Sequence, residues 1–343
     1  MPMDYIISLD WLQFRCRGRL VTENCVFECR RLSVASKFFQ EVYEYYIENE
    51  KFAVVQYMPK FDHEDRFMSL VKIANRHLYS VALKHNVEAF LESVGLSIVA
   101  FSRLDLACDF VRFKNGWTAP TFIKHFVANS VQIKGKFKGA LFFDTGHELE
   151  YQTLQIGRHS SELTAKLYNK TRELSEQKDK PYIREIHKAL DNKYNLDVWR
   201  FEIKLTAEAM KIVNLDTGEL VCPANFEWWS PREWRALFSS VLNTKFVFFK
   251  NTGKAVKARE EIIRLFDLTG VTYKTSVHDL SSDTSRKHLL FAKMLYNLDK
   301  EMRLCTKEAV PIIKDLAILY LREHGILRNN SEQFLQAGNY HFE

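Results

Sequence analysis

Several residue types are scarce in this chain of 343 residues, and each scarcity excludes a class of protein. With only 12 Gly and 7 Pro, long flexible linkers are not expected. The 6 Cys form no Cys-x-x-Cys motif, and no His pair stands at zinc-ligand spacing, so no zinc site is predicted. No apolar run reaches the roughly 18 residues of a membrane span, and the first residues lack a signal-peptide pattern. We therefore expect a cytoplasmic protein with reduced thiols and no membrane partner.

The charge balance is compatible with nucleic-acid binding but does not establish it. The 49 Lys and Arg against 43 Asp and Glu give a net charge of +6, which many unrelated enzymes also carry. Cations are concentrated in residues 132–138, 158–180 and 245–259. Such segments are most often solvated surface, whereas beside a nuclease site they favour a DNA partner.

Hydrophobic periodicity predicts a change of architecture at about residue 215. Before it, the predicted strands are 6–17, 97–111, 139–143, 151–157, 162–170 and 198–205, and the predicted helices are 36–49, 67–81, 87–94 and 118–129. After it, helices are predicted at 230–242, 254–268, 285–303 and 306–324. The sequence thus predicts an α+β fold, a central antiparallel sheet with helices packed on one side, followed by a mainly helical C-terminal region. We expect a catalytic domain at 1–215 and a helical region at 216–343.

Two carboxylates lie on one face of the predicted strand at 97–111. Because side chains alternate along a strand, Asp105 and Asp109 share a face with Arg103 and the small Ala107. Carboxylates that share one face of a strand repel each other unless a cation lies nearby. That cation is a metal ion in one interpretation. In the other, this is the polar side of an edge strand, on which Arg103 neutralises Asp105.

A third carboxylate comes from the predicted strand at 198–205. Glu202 shares a face there with Arg200 and Lys204. If this strand lies beside the one that carries Asp105, Glu202 adds a third oxygen ligand, and such a set suits Mg²⁺ or Mn²⁺. The alternative is an ordinary ion pair between Glu202 and Arg103.

Tyr168, on the predicted strand at 162–170, is the candidate nucleophile. An isolated tyrosine on a sheet is usually a surface residue. A nearby metal ion and cations that favour the phenolate would instead activate it for attack. Lys166, Lys170 and Arg158 are close in sequence and could hold phosphate oxygens.

Five short stretches, in order over about residues 5–210, carry a resemblance to a known family. They are Leu9-Asp10-Trp11-Leu12, Arg103-Leu104-Asp105-Leu106-Ala107-Cys108-Asp109, Ile156-Gly157-Arg158 with Ser160, Leu167-Tyr168-Asn169-Lys170 and Trp199-Arg200-Phe201-Glu202. As an ordered set they resemble the Rep_trans-type replication initiators of rolling-circle plasmids, a family that includes relaxases of some integrative conjugative elements and initiators of some filamentous phages. The chain departs from it at His159, where the family more usually has Gly-Ser-Arg/Lys, and it contains no His-hydrophobic-His triplet.

The resemblance implies a DNA-nicking enzyme. In that family the tyrosine of the Tyr-Asn/Asp-Lys motif attacks a phosphate at the origin and stays on the 5′ phosphate, while the released 3′ hydroxyl primes synthesis. Carried over, it implies Tyr168 as the nucleophile, with Arg158 and Lys170 against the scissile phosphate. The implied ligands of a Mg²⁺ or Mn²⁺ ion are Asp105, Asp109 and Glu202. Other tyrosines in the same region are candidates for a second role: Tyr151, Tyr182 and Tyr194.

The expected function is therefore a metal-dependent initiator of rolling-circle replication that nicks one strand at an origin. The alternatives are a conjugative relaxase with the same chemistry, an origin-binding protein with an inactive site, and a phosphoesterase that uses water. The expected partners are origin DNA, single-stranded or extruded at the nick, a host helicase and a second copy of the chain. Residues 216–343 are expected to contact DNA or to form the dimer, because 245–259 is rich in cations.

Overall fold

The computed structural model describes residues 3–275 except 24–25, 35, 61–64, 135–138, 144–150, 159–160, 177–178, 222–228 and 252–260. Of residues 139–143, 151–152 and 207–208 it describes the backbone alone. All described residues belong to one unit, Met1–Val277. The helices predicted at 285–303 and 306–324 lie outside the described residues.

A ten-stranded sheet organises this unit, and all its neighbouring strands run antiparallel. Its strands are β1 Tyr5–Arg17, β2 Glu28–Arg31, β3 Phe39–Ile47, β4 Glu50–Pro59, β5 Met68–Ile73, β6 Ser97–Phe110, β8 Gly139–Phe143, β9 Tyr151–Ile156, β10 Leu163–Asn169 and β11 Trp199–Thr206. In space they follow the order β2-β3-β4-β5-β1-β6-β11-β10-β9-β8. The strands that carry the five sequence motifs are therefore neighbours at the middle of the sheet.

Short strands and helices complete the unit. The strands β7 Val131–Ile133, β13 Phe248–Lys250 and β14 Ile262–Ile263 form a small sheet, and β12 Ile212–Asn214 pairs with β15 Tyr273–Thr275. The helices are α1 Asn75–Leu78, α2 Leu83–Ser93, α3 Ala119–Val127, α4 Lys170–Glu176, α5 Pro181–His187 and α6 Pro231–Lys245. Among the described residues, no helix has the length and apolar character that crossing a membrane requires.

The apolar face of the large sheet forms the core with the three longest described helices. Leu106 on β6 and Phe201 on β11 are fully buried on this face. The helices α2, α3 and α6 add Phe90, Phe122 and Phe238 to the same hydrophobic cluster. The α+β fold with a central antiparallel sheet is thus confirmed, and the opposite, polar face remains for chemistry.

Two predicted helices are strands. The segment 36–49 contains β3, and 67–81 contains β5 followed by the single turn of α1. Their aromatic and apolar residues satisfy helical spacing, but β5 buries every second residue, as in a strand. Both segments pair with β4, and this pairing makes them strands of the large sheet instead of helices. The helices predicted at 87–94 and 118–129 are confirmed by α2 and α3.

Residues beyond 215 contribute to the same core. Helix α6 begins as predicted, because Ser230 caps it by accepting a hydrogen bond from the backbone N–H of Glu233 and Pro231 occupies the first turn. Its Phe238 side chain is fully buried and packs edge-to-face against Phe201 of β11. The unit therefore extends to Val277 instead of ending at the predicted boundary after residue 215. Strand β14 falls within the helix predicted at 254–268, most of which lies outside the described residues.

Candidate active site

A fully buried arginine is the centre of the polar face. Arg200 of β11 donates two hydrogen bonds to Asp109 of β6, from Nε to Oδ1 at 2.6 Å and from Nη2 to Oδ2 at 2.7 Å. Its Nη1 donates to Oδ1 of Asp10 at 2.5 Å. Arg200 and Asp109 are direct cross-strand partners, so the antiparallel register of β6 and β11 creates this bidentate pair.

Asp10 reaches the centre because β1 bulges at this residue. In the pairing of β1 with β6, Leu9 lies opposite Leu106 and Trp11 opposite Asp105, which leaves Asp10 as the extra residue. Its carboxylate accepts a hydrogen bond from the hydroxyl of Tyr79 at 2.9 Å. Burial opposes ionisation of Asp10, but Arg200 outweighs it and holds the pKa of this carboxyl below its usual range.

Helix α5 contributes two further side chains to this cluster. His187, at its C-terminal end, lies 2.9 Å from Oδ2 of Asp109. The hydroxyl of Tyr182 donates to Oδ1 of Asn75 at 2.7 Å, and Asn75 in turn donates to the backbone carbonyl of Asp10 at 2.6 Å. Short helices thus hold the carboxylates that surround Arg200.

Tyr168 lies at the edge of this cluster, on β10. Its hydroxyl donates a 3.0 Å hydrogen bond to Oε2 of Glu202 on β11. The two side chains are diagonal neighbours, because Tyr168 faces Arg200 in the register and Glu202 is two residues further along β11. Both line an open polar cleft of about 310 Å³. The other lining residues are Thr153, Lys166, Asn169, Arg172, Glu173 and Glu176.

The pKa values of both members of this pair are raised. Burial, together with Asp10 and Asp105, raises the pKa of Glu202 to about 7. Burial and the Glu202 carboxylate raise the pKa of Tyr168 above its ordinary value. The phenol is therefore protonated in the free protein and needs a base, and the neighbouring carboxylate is suited to be that base. Activation of the phenolate by a metal ion stays a prediction.

Lys170 is brought beside the candidate nucleophile. Its side chain is buried at the start of α4, where its ammonium group forms an ion pair with Glu173 and lies 5.5 Å from the centre of the Tyr168 ring. Burial and the nearby Arg200 guanidinium lower the pKa of Lys170. A positive charge is thus held next to the tyrosine, and the predicted contact of Lys170 with the scissile phosphate stays a prediction.

Arg158 lies away from Tyr168. It is exposed in the turn between β9 and β10, next to Gly157, which has a positive φ of 92°. A Cβ at Gly157 would come within 3.1 Å of the carbonyl oxygen of Leu163, so the tight turn requires glycine. Gly157 packs against Thr164 at this end of β10. Tyr168 lies four residues further along the strand, about 14 Å from Thr164. The structure therefore does not bring Arg158 to the tyrosine.

The three predicted metal ligands share one sheet face without forming one cluster. The Asp105 carboxylate is engaged by Nε and Nη2 of Arg103, and Asp109 by Arg200 and His187. Within the described ranges, no group of three His, Cys, Asp or Glu side chains is arranged to hold a metal ion. The described carboxylates therefore do not fit the predicted ligand set, and dependence on Mg²⁺ or Mn²⁺ stays a prediction.

Five residues of the cluster were not predicted as functional from the sequence: Arg200, Asp10, Tyr79, His187 and Asn75. Asp10 carried a signal, because it is the acidic residue of its strand and lies within a family motif. Tyr79 and His187 carried none, since they come from a turn and a short helix distant in sequence. Of the further tyrosines, Tyr182 belongs to the surrounding shell, Tyr194 is exposed, and the side chain of Tyr151 is not among those described.

Comparisons with known proteins give a distant likeness in structure. No family model matches the chain, and no curated protein matches it. The chain is similar to a solved structure of a rolling circle replication initiator protein from Geobacillus stearothermophilus. The identity is 14% and the TM-score 0.42, and the match covers 76% of this chain and 93% of that chain.

Proposed function

We propose that this protein is a replication initiator of the rolling-circle type, which nicks one strand of DNA through Tyr168. The observation that carries the proposal is the 3.0 Å hydrogen bond from the Tyr168 hydroxyl to Glu202 in an open polar cleft. The pair combines a nucleophile with a base of raised pKa, which is the arrangement expected for covalent catalysis. The five ordered motifs direct this chemistry to a DNA phosphodiester.

The reaction begins with transfer of the Tyr168 proton to Glu202. The phenolic oxygen then attacks the phosphorus of a phosphodiester, a bond forms between the tyrosine and the 5′ phosphate, and the bond from phosphorus to the 3′ oxygen breaks. The leaving oxygen takes up a proton from Glu202 or from water and becomes the 3′ hydroxyl. A phosphotyrosyl bond conserves the energy of the phosphodiester, so attack by a 3′ hydroxyl can reverse the nick.

Arg200 and Lys170 support this step through their positive charge. Arg200 lies directly opposite Tyr168 in the register, and its charge favours the phenolate. Lys170 adds a second positive charge beside the ring. Both groups stabilise negative charge in a site from which much of the solvent is excluded, where such interactions are strong.

The test is an assay for a covalent protein–DNA adduct. Wild-type protein and Tyr168→Phe are incubated with single-stranded and supercoiled DNA from the genetic element that encodes the protein, with Mg²⁺ or Mn²⁺, and run on a denaturing gel. We expect an adduct in the wild type and none in Tyr168→Phe. Addition of EDTA tests the predicted metal dependence separately.

A matched control is Tyr194→Phe, which removes the hydroxyl of an exposed tyrosine away from the cleft. It should form the adduct as the wild type does. Cleavage that persists in Tyr168→Phe without any adduct would overturn the proposal in favour of a phosphoesterase that uses water. Cleavage with an adduct in Tyr168→Phe would transfer the role to another tyrosine.

A further inference from the structure

Four cations from four different strands form a band on the polar face of the sheet, beginning at the Tyr168 cleft. The band consists of Lys166 on β10, Lys204 on β11, Arg103 on β6 and Lys72 on β5. In the register Lys166 faces Glu202, two residues before Lys204, while Arg103 faces Thr206, two residues after it. Lys166, Lys204 and Arg103 are therefore successive diagonal neighbours across adjacent strands. Lys72 lies one strand beyond Arg103, on the other side of β1.

The far end of the band is built around a tryptophan. The ammonium group of Lys72 lies 3.3 Å from the centre of the Trp11 ring, and the guanidinium carbon of Arg103 lies 4.0 Å from it. Gln13 on β1 lies between these two cations, because in the register it is opposite Lys72 of β5 and opposite Arg103 of β6. Trp11 thus holds the two cations close together, although their charges repel.

The side chains of the band are partly exposed, and its cations influence one another. All four cations keep part of their side chains in solvent, including 31% for Arg103. Burial and the neighbouring Arg103 lower the pKa of Lys72, and burial and the same Arg103 lower the pKa of Lys204. Asp105, paired with Arg103, and Glu202, opposite Lys166, offset part of this positive charge, and a phosphate would interact with the remainder.

Resting on the proposed function, we infer that this band is the track along which the backbone of single-stranded DNA crosses the sheet to reach Tyr168. The band spans five neighbouring strands, from β10 to β5, a distance of roughly 19 Å at about 4.8 Å per strand. It begins at Lys166, which itself lines the Tyr168 cleft, so a strand on the band continues directly into the site. A row of cations fits the phosphates of a DNA backbone, and contacts to phosphates read no sequence.

The test measures binding in a protein that cannot cleave. A fluorescently labelled single-stranded oligonucleotide of mixed sequence is titrated with the Tyr168→Phe protein over a series of salt concentrations. Lys72→Gln, Lys204→Gln and Lys166→Gln are then added singly to this protein. Each should weaken binding and reduce the slope of log K against log salt concentration by about 0.7, the value for one contact between a cation and a single-strand phosphate.

Two sets of controls separate the track from general charge and from misfolding. Lys84→Gln removes an exposed lysine on α2, which packs on the opposite face of the sheet, and should leave affinity and slope unchanged. Lys204→Arg and Lys72→Arg keep the charge and should keep the slope. Unchanged slopes in all three Gln variants, or slopes equal to that of Lys84→Gln, would overturn the track.

Failure of the track and failure of the proposed function are distinguishable. If Tyr168→Phe still cleaves DNA while the Gln variants lose salt dependence, the track stands and the nucleophile is wrong. If Tyr168→Phe abolishes the adduct while the Gln variants bind as the wild type does, the chemistry stands and the DNA follows another surface. An equal loss of affinity for duplex of the same sequence would also contradict a track for single strands.

Discussion

The hydroxyl of Tyr168 donates its hydrogen bond to Glu202 across two central strands, and not to either of the other predicted site carboxylates. Asp109 is held by Arg200, and Asp105 by Arg103. Because only Glu202 lies beside the phenol, it alone among the three is placed to accept the proton. The same carboxylate has its pKa raised to about 7 by burial and by Asp10 and Asp105.

The first prediction concerns the pH dependence of nicking. A base must be ionised to accept a proton, so the rate of adduct formation should rise with pH through about 7 and level off above it. Glu202→Gln should lower the rate by about 10²–10⁴-fold and remove this inflection. Single-turnover rates on a single-stranded substrate over a pH series measure both effects.

The matched control for that prediction is Glu88→Gln on the exposed side of α2, which should keep the rate and the pH profile of the wild type. Glu202→Gln removes a carboxylate whose ionised form is disfavoured by burial, so it should not lower the melting temperature. A pH profile with the same inflection in Glu202→Gln would show that another group is the base.

The second prediction concerns stability. Arg200→Met should destabilise the protein by about 3–5 kcal/mol, because it leaves the buried Asp10 and Asp109 carboxylates without their cation. Urea unfolding at neutral pH measures the free energy of unfolding. The exposed Arg112 is the control, and Arg112→Met should change the free energy by less than about 0.5 kcal/mol.

The same pair predicts how stability changes in acid. Burial opposes ionisation of Asp109, but Arg200 and His187 outweigh it and lower the pKa to about 2, below the ordinary 3.8. The stabilisation from this lowered pKa is therefore present above pH 3.8 and is lost as the pH falls towards about 2. The difference in unfolding free energy between wild type and Arg200→Met should shrink over that interval. A difference independent of pH would contradict the assignment.

The third prediction separates two cations that the sequence treated alike. Lys170→Met should reduce the rate of adduct formation at saturating DNA by about 100-fold, because it removes a buried charge next to the Tyr168 ring. Arg158→Gln should leave that rate unchanged, because Arg158 is exposed at the other end of the hairpin. If Lys170→Met lowered only the melting temperature, Lys170 would have a structural role alone.

The fourth prediction concerns the domain boundary. A chain that ends at residue 215 lacks α6, whose Leu237, Phe238 and Val241 are buried in the core. It should show no cooperative unfolding, whereas a chain that ends at Val277 keeps the whole unit and should unfold cooperatively. Near-UV circular dichroism with urea titration compares the two. Cooperative unfolding of the shorter chain would restore the boundary expected from the sequence.

The sequence predicted the central strands and which of their residues share a face. Alternation placed Asp105, Glu202 and Tyr168 on strands that could turn one polar face to solvent, and the structure puts them on one face of neighbouring strands. This inference succeeds because the side-chain period of a strand is two, independent of what the strand pairs with. The segments 36–49 and 67–81 were predicted wrongly because their dense aromatic and apolar residues fit both periods.

Contacts between distant segments were decided by tertiary structure alone. The bulge that turns Asp10 towards Arg200 depends on the register of β1 against β6, and Tyr79 and His187 arrive from segments that carry no signal of their own. The choice of Arg200 as the partner of Asp109 follows from burial, because a buried carboxylate without a cation costs several kcal/mol. The periodicity of a strand determines which face each of its side chains lies on. The partner of a side chain depends instead on which other strands and helices pack around it and exclude water.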